Sequence, residues 1–408
     1  MISTVVLYSK FMSNSNSVTQ AISKRLAKRR LFYVCRDIER AVGIDLSLKN
    51  YYIITNYNGF SAKLARQYPH IILIKEKNQL DTRDLLAHKK TKSAIGKNDL
   101  VLVFKNNTLI EAECKKNNWH LLNPEAKLAD KIESKTSQVE WLGKLTKYLP
   151  PYQVDICGNI KWNEEPFILQ FKHSHTGSGT LFINSDKKLT DLKLKFSKRE
   201  VRVADYIKGP VFTNNNVVWG DKILTGNINY QITGLSPFTD NKFATIGNDW
   251  ALPHKILSKK QILQYKKIAA EIGKKLNQDG WKGLYGVDII MNEKNGRLYL
   301  LEINARQPAS TTFESQLQKL TGTFGVSTFE AHLAGLLNVA PDKYKLSKIT
   351  DGAQIIQRVT KKKIKISKIK DRSIINIIKY NNASLGSDLI RWQFSKGLMK
   401  KHNVLKIL

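Results

Sequence analysis

The sequence predicts a mixed fold, α/β in its first part and α+β in the remainder. In the first 125 or so residues, short apolar runs alternate with helical patterns, which is typical of a parallel sheet with helices on its faces. Farther along, the apolar runs 286–291 and 297–303 flank a turn at 292–296 and predict an antiparallel hairpin. Both types of sheet are therefore expected in one chain.

The composition is typical of a folded protein with several subdomains. The chain has 408 residues, 42% of them hydrophobic and 25% charged, which is too long for a single ordinary core. No apolar stretch reaches the roughly 20 residues that span a bilayer, and the run 4–8, soon interrupted by Lys10, is too short for a secretory signal. We therefore expect a cytoplasmic protein without membrane insertion.

The cysteines and the net charge further restrict which class of protein the chain can belong to. Cys35, Cys114 and Cys157 lie far apart, which argues against disulfides and structural zinc. The formal net charge is +33, mostly from lysines spread along the chain, and such a field attracts anions. A solvated basic surface is the favoured interpretation, and a nucleic acid, an acidic membrane surface or an acidic carrier protein remains an alternative.

The first 125 residues contain no GxGxxG fingerprint, so the sequence does not predict a nicotinamide or flavin site in the parallel sheet. Hydrophobic periodicity places its elements. The predicted strands are 51–55, 70–74, 99–104 and 119–122, and the predicted helices are 61–67, 81–90 and 108–116.

The rest of the chain mixes long helices with strands. A small polar loop, 173–180, directly follows one of these strands. From Pro341 onward the sequence is lysine-dense but keeps apolar runs, which predicts a small basic domain. The predicted helices are 124–148 and 258–276, and the predicted strands are 167–172, 200–207, 353–359 and 374–378.

Four polar residues of the predicted hairpin form the most informative pattern. Alternation sends Glu302 and Asn304 to one face, and the hairpin brings Asp288 beside Glu302. Two carboxylates and an amide oxygen, with no lysine among them, repel one another unless a cation is bound, and they suit Mg²⁺. Arg306 follows, where it can reach a transferred phosphoryl group. The alternative is a set of exposed hairpin charges with Arg306 as their surface partner.

A second pattern supplies the donors that a phosphate needs. Lys172 ends a strand and is followed by Gly177, Ser178 and Gly179, whose backbone N–H groups can hold phosphate oxygens. A plain turn is the alternative for this loop. The combination with a carboxylate hairpin about 110 residues later favours a nucleotide site.

These segments together resemble the ATP-grasp superfamily of carboxylate–amine ligases, which includes biotin carboxylase. The stretch 283–306 resembles the family's two metal-binding strands and the Asn-x-Arg that ends them, and residues 133–135 resemble the segment that carries its first ATP lysine. The strand 168–172 resembles the one that carries the second lysine, and 203–209 resembles the hinge that binds adenine. Their order and spacing agree with the family from about 125 to 340.

The resemblance implies an ATP-grasp fold preceded by a Rossmann-like domain and followed by a small C-terminal domain. The implied boundaries are 1–125 for the Rossmann-like domain, 126–208 for the small ATP-grasp subdomain, 209–340 for the catalytic subdomain and 341–408 for the basic C-terminal domain.

The implied reaction is phosphorylation of a substrate carboxylate by ATP, followed by attack of an amine on the acyl phosphate. Small-molecule carboxylate and amine substrates are expected, and a homodimer is left open. The implied cofactors are ATP and Mg²⁺, with Mn²⁺ as an alternative ion. The implied site residues are Asp288, Glu302 and Asn304 for the metal, Lys135, Lys172, Gly177, Ser178, Gly179, Asp205, Tyr206 and Ile207 for ATP, and Arg306 and Lys172 for catalysis.

The sequence also departs from the family pattern. The phosphate loop has two glycines and begins with His173, and Asp205 stands where a glutamate is common. The residues after Arg306 differ from those of biotin carboxylases, which argues against bicarbonate and biotin as substrates. Two alternatives stay open: an ATP-dependent carboxylating ligase, and an inactive ATP-grasp scaffold that binds nucleic acid or another polyanion.

Overall fold

The computed structural model describes residues 17–172, 179–321, 325–341, 344–360, 369–380 and 384–406. Within these ranges the chain forms a five-stranded parallel sheet, a four-stranded antiparallel sheet and a nine-stranded sheet, together with a two-stranded ribbon. We call the first three the parallel, small and large sheets. Both predicted types of sheet are present, so the predicted fold class is confirmed.

The parallel sheet has the strand order β3-β2-β1-β4-β5. Its four predicted strands are confirmed. The first strand was not predicted because its four residues are all buried and show no alternation, directly after a basic segment. The strands are β1 (Leu31–Val34), β2 (Tyr51–Asn56), β3 (Ile71–Ile74), β4 (Leu100–Leu102) and β5 (His120–Leu121).

Five helices accompany this sheet. The predicted helix 81–90 is divided in two, because His88 adopts an extended backbone that ends one helix and its Nδ1 accepts a hydrogen bond from Lys90 N at the start of the next. The helices are α1 (Ser17–Leu26), α2 (Gly59–Ala65), α3 (Thr82–Ala87), α4 (Lys89–Ala94) and α5 (Thr108–Lys116).

The predicted helix 124–148 is also wrong as a single element. It consists of α6 (Ala126–Glu133), α7 (Ser137–Leu142) and a 3-10 helix, Gly143–Tyr148. At Ser134 the backbone becomes extended, and Lys135 N lies 3.4 Å from Lys172 O on the small sheet. The interruption therefore places the buried Lys135 side chain against another sheet, where a continuous helix would not hold it.

The small sheet has the order β6-β9-β7-β8 and packs one face on a helix. Phe167, Leu169 and Phe171 alternate on that face and form a core with Leu189 of the helix. The predicted strand 200–207 ends at Asp205. The elements are β6 (Tyr152–Ile156), β7 (Phe167–Phe171), β8 (Thr180–Ile183), α8 (Asp186–Phe196) and β9 (Glu200–Asp205).

The large sheet has the order β15-β14-β10-β12-β13-β16-β18-β17, with β11 paired to β10. The predicted hairpin is confirmed as β14 and β15. The strands are β10 (Val211–Trp219), β11 (Lys222–Leu224), β12 (Asn229–Thr233), β13 (Thr245–Asp249), β14 (Gly283–Met291), β15 (Leu298–Asn304), β16 (Ala353–Arg358), β17 (Ile374–Lys379) and β18 (Asp388–Phe394), and the ribbon is β19 (Met399–Lys401) and β20 (Val404–Leu405).

The strands after Pro341 continue the large sheet. Gly247, Asn248 and Asp249 of β13 pair with β16, and β18 then pairs with both β16 and β17. The sheet therefore crosses the boundary that the sequence placed between 340 and 341. The division into four domains stays a prediction.

Four further helices cover the large sheet. Tyr265 on one of them packs in the core and donates a hydrogen bond to Val287 O on β14 at 2.5 Å. The predicted helix 258–276 is confirmed, with Ser258 as its N-cap. The helices are α9 (Pro253–Ile256), α10 (Lys259–Gln278), α11 (Thr311–Leu320) and α12 (Thr328–Leu336). None of the helices in the described ranges is long and apolar enough to cross a membrane.

A row of buried amide side chains crosses five strands of the large sheet, and we call it the amide row. Asn248 Nδ2 donates to Asn229 Oδ1 at 2.8 Å, and Gln354 Nε2 donates to Asn248 Oδ1 at 2.9 Å. On the outer strands, Asn376 Nδ2 donates to Gln393 Oε1 at 2.8 Å. The sheet interior is therefore polar along this line, where a packed core would be apolar.

A buried carboxyl on α11 gives a testable pH dependence of stability. Glu314 accepts hydrogen bonds from Asn215 Nδ2 at 2.5 Å and Thr328 Oγ1 at 2.9 Å, and burial raises its pKa to about 7 from 4.5. The unfolded chain therefore ionises first as the pH rises. The free energy of unfolding therefore falls as the pH rises from 4.5 to about 7, by about 3 kcal/mol in total.

We expect Glu314→Gln to remove this part of the pH dependence, because glutamine carries no charge to bury. Urea unfolding of both proteins at several pH values between about 4 and 8 measures the effect. Glu165→Gln, at an exposed position before β7, is the control and should retain the wild-type slope. An unchanged slope in Glu314→Gln would contradict the prediction.

Candidate active site

The β14–β15 hairpin brings the predicted metal ligands together. Asp288 is the cross-strand partner of Glu302, and Gly286 is the partner of Asn304. Asn304 Nδ2 donates a hydrogen bond to Asp288 Oδ2 at 3.2 Å. Two carboxylates and an amide therefore share one face of the hairpin, as the sequence predicts.

A lysine from outside the hairpin lies beside these carboxylates. Lys135 Nζ is 3.0 Å from Glu302 Oε1, and only 7% of the Lys135 side chain is exposed. The three hairpin residues include no lysine, as the sequence shows, and Lys135 joins them from another element. The extended segment between α6 and α7 delivers Lys135 from far away in the sequence and balances the charge of Glu302.

The two carboxyl groups have pKa values shifted in opposite directions. Burial alone would raise the pKa of Glu302, but Lys135 and Arg306 outweigh it and hold that pKa below its usual value. Burial, and then the charge of Glu302, raise the pKa of Asp288 to about 6. Glu302 is therefore the more strongly ionised member of the pair.

The hairpin fits a divalent cation. Among the residues that the structure describes, Asp288 Oδ1 is buried and lacks a hydrogen-bond partner, which a metal would satisfy. The described ranges contain no group of three or more histidine, cysteine, aspartate or glutamate side chains arranged for a metal. A metal here would rely on Asp288, Glu302, the Asn304 amide and oxygens from a ligand, a set that suits Mg²⁺.

Arg306 is held at the end of β15 by a carboxylate that the sequence analysis missed. Its Nη1 donates to Glu133 Oε1, and Lys105 Nζ lies 2.7 Å from Glu133 Oε2. Burial alone would lower the pKa of Arg306, but Glu133 and Glu302 raise it. Glu133 is the last residue of α6, two positions before Lys135, so the segment already selected for Lys135 was the available signal.

The small sheet contributes a second cation that the sequence analysis missed. Arg202 is 4% exposed, and its Nε and Nη2 donate to Gln170 Oε1 at 2.9 and 2.6 Å. Burial lowers the pKa of Arg202 to about 10, while the charge of Glu302 opposes this shift. A single arginine within the apolar run of β9 was the available signal. The small sheet therefore presents a buried cation toward the hairpin.

The predicted phosphate loop is only partly within the described residues. Lys172 is exposed, and its carbonyl lies beside Lys135 N. Gly179 O accepts a hydrogen bond from Phe171 N at 3.0 Å. Gly177 and Ser178, with His173, lie outside the described residues. The structure therefore brings Lys172 to the same junction as Lys135.

The predicted hinge follows β9 and ends in an aromatic group. Asp205 is exposed, and its backbone N donates to Pro151 O at 3.0 Å. The ring of Tyr206 lies 4.6 Å from that of Phe182 on β8, between ring centres, and is 40% exposed. Ile207 comes next and is partly buried. An accessible aromatic surface therefore lies a few residues beyond Arg202.

Gln307, directly after Arg306, ties the hairpin to the parallel sheet. Its backbone N donates to Phe104 O at 3.0 Å, and its Nε2 donates to Arg40 O at 2.8 Å. Tyr33 OH donates to Gln307 Oε1 at 2.5 Å. The carboxyl edge of the parallel sheet is thereby fixed against the end of β15.

Comparison with known proteins agrees with this geometry. Residues 132–310 match the family model described as the ATP-grasp domain. The chain contains an ATP-grasp domain. The matched range includes Lys135, Lys172 and the three predicted metal ligands, and the resemblance predicted from the sequence is confirmed. None of the curated proteins compared with the sequence matches it.

Solved structures share the fold over nearly the whole chain. N5-carboxyaminoimidazole synthetase from Staphylococcus aureus, complexed with ADP, is 11% identical with a TM-score of 0.60, covering 90% of this chain and 92% of that one. L-amino acid ligase from Bacillus licheniformis is 12% identical with a TM-score of 0.62, covering 91% and 94%.

A third similar structure is the biotin carboxylase domain of 2-oxoglutarate carboxylase from Hydrogenobacter thermophilus, in complex with MgADP, ADP and bicarbonate. It is 12% identical with a TM-score of 0.63, covering 90% of this chain and 86% of that one. At these identities the likeness concerns the fold. The ATP-grasp ligase fold predicted from the sequence is confirmed.

Proposed function

We propose that this ATP-grasp protein is an ATP-dependent ligase that activates a substrate carboxylate as an acyl phosphate and joins it to an amine. The observation that carries the proposal is the meeting of opposite charges in one cleft. Asp288 and Glu302 supply anionic ligands on the large sheet, and Lys135 and Arg202 supply cations beside them. A nucleoside triphosphate with its bound metal ion needs both the anionic ligands for the metal and the cations for the phosphates.

The metal would be held by the oxygens of Asp288, Glu302 and Asn304. A bound Mg²⁺ neutralises phosphate charge and orients the transferred group. Lys135 pairs with Glu302 in the structure and would turn toward phosphate when nucleotide is present. Arg202 has no salt-bridge partner among the described residues, so its charge is available to the same phosphates.

The remaining nucleotide contacts follow the predicted hinge and loop. The exposed ring of Tyr206 and the partly buried ring of Phe182 suit the flat adenine base. Lys172 and the loop Gly177–Gly179 would contact the phosphates. The roles of Asp205 and Ile207 as further hinge contacts stay a prediction.

Arg306 would steady the activated carboxylate. Its guanidinium lies at the end of β15, where Glu133 orients it. The charges of Glu302 and Asp288 also raise its pKa. A planar, permanently charged group suits the developing charge of an acyl phosphate and of the tetrahedral species that amine attack forms.

A carboxylating ligase is the second candidate. Two of the three similar structures named above are, by their names, enzymes of carboxylation, and one contains bicarbonate. The reaction would then activate bicarbonate in place of a larger acid. An inactive scaffold that binds nucleic acid gains no support from the described part of the chain.

Release of ADP by the protein, supplied with ATP and Mg²⁺, tests the proposal. We expect release to require a carboxylic acid and an amine together, when amino acids and short peptides are screened alone and in pairs. Bicarbonate-dependent release without an amine would favour the carboxylating ligase. No release with any combination, by protein that binds MgADP, would contradict the proposed activity.

A further inference from the structure

Arg40 lies where α/β proteins ordinarily bind ligands. It ends the 3-10 helix Ile38–Arg40, which follows β1 at the carboxyl edge of the parallel sheet. The chain leaves β1 toward β2 on one side, and β4 lies on the other side, so the crevice between β1 and β4 is the switch point of the sheet. The Arg40 guanidinium lies 4.8 Å from the centre of the Phe104 ring, just beyond β4.

Arg40 forms no salt bridge with a carboxylate of the described ranges. Its Nη1 donates to the carbonyl of Gln307 at 3.2 Å, and no described carboxylate lies within 4.0 Å of it. The nearby Asp37 is itself paired with Arg36 at 3.3 Å. Arg40 is half-buried, and holding a partly desolvated cation against one carbonyl and one ring, with no salt bridge, is unfavourable.

Two nearby arginines make the position of the Arg40 charge still less favourable. Burial lowers the pKa of Arg40; Tyr33 and Asp37 oppose this shift, and the charges of Arg391 and Arg306 add to it. These two arginines have partners of their own, since Arg306 is paired with Glu133 and Arg391 Nη2 lies 3.6 Å from Asp388 Oδ2. Arg40 is therefore the member of this group whose charge is available to a ligand.

The position of Arg40 relative to the hairpin is fixed. Gln307 accepts from Arg40 through its carbonyl and donates to the Arg40 carbonyl at 2.8 Å. Because Gln307 directly follows Arg306, a ligand on Arg40 would lie beside the catalytic arginine. It would lie on the parallel-sheet side of that arginine, whereas Lys135 and Arg202 occupy the small-sheet side.

We infer that Arg40 binds an oxyanion, a carboxylate or a phosphate, that the non-nucleotide substrate carries in addition to the carboxylate that is activated. This inference rests on the proposed ligase function. Arg306 serves the activated carboxylate, so a substrate with one anionic centre would leave Arg40 unpaired. The substrate class is therefore an acid with a second anionic group, and bicarbonate does not belong to it.

Binding of simple anions tests the inference without turnover. The protein, saturated with MgADP, is titrated with glutarate, inorganic phosphate and the neutral analogue glutaramide, and affinity is measured by calorimetry. We expect glutarate or phosphate to bind, and glutaramide not to bind. Arg40→Gln should weaken the binding of the anion at least about tenfold, and Arg40→Lys should weaken this binding less.

The matched control is Arg66→Gln, at an exposed position at the end of α2, which should bind as wild type does. Retained MgADP binding shows that a variant is folded. Glutarate binding would identify a carboxylate site, and phosphate binding lost in Arg40→Gln would identify a phosphate site. Failure of both anions to bind, or equal binding by Arg40→Gln, would overturn the inference. Absence of ADP release with anion binding intact would instead count against the ligase activity alone.

Discussion

Glu302→Gln is expected to reduce ATP turnover at least about a hundredfold. Glutamine keeps the size of the side chain but removes the charge that pairs with Lys135 and that would hold the metal in our proposal, and Glu302 is the more strongly ionised carboxyl of the pair. Initial rates of ADP release at saturating Mg²⁺ measure the effect. Full ADP release by the variant would contradict the metal assignment.

The same variant has a stability readout that does not depend on activity. Lys135 is buried and would lose its counter-ion, so the melting temperature should fall. The fall should be moderate, because 36% of the Glu302 side chain is exposed and solvent screens the pair. The double variant Lys135→Met with Glu302→Gln should recover the loss. Glu165→Gln, at an exposed position before β7, is the control for both measurements.

Arg306→Gln is expected to reduce turnover by a similar factor while leaving MgADP affinity nearly unchanged. Its guanidinium acts on the activated carboxylate in our proposal, and the variant keeps Lys105 as a partner for Glu133, so the fold should survive. Steady-state turnover and MgADP titration separate the two effects. Arg306→Lys should retain some activity, because the charge remains but the planar fork is lost.

Arg297→Gln, at an exposed position before the same strand, is the control for Arg306→Gln. Two results would contradict the assigned role. Wild-type turnover in Arg306→Gln would exclude a catalytic function, and a large loss of MgADP affinity would assign the arginine to the nucleotide instead.

The hairpin was predictable because its geometry is local. A period of two fixes which side chains share a face, and the short turn fixes the pairing of Asp288 with Glu302. The neighbourhood of Lys135 was not predictable, since it depends on an extended break between α6 and α7. Helical periodicity continues across that break, and only a contact with the small sheet explains why the chain is extended there.

The charged partners of the site could not be read from the sequence for the same reason. Glu133, Arg202 and Arg40 each come from a different element, and their roles depend on how three sheets are placed against one another. The family resemblance brought out Lys135 and Lys172 and included Glu133 only as a neighbour of Lys135, and it gave no signal for Arg202 or Arg40. The continuation of the large sheet beyond Pro341 likewise requires a pairing of β13 with β16 that spans about 100 residues.

The amide row has a consequence for how the large sheet assembles. A shift of one residue in any of its five strands would turn the amide side chains to the opposite face and leave buried donors and acceptors unpaired. Each unpaired group would cost about 1–3 kcal/mol. The row therefore selects one alignment of strands that are distant in sequence, and in that alignment the C-terminal part of the chain places Arg391 near Glu39 and Arg40 at the carboxyl edge of the parallel sheet.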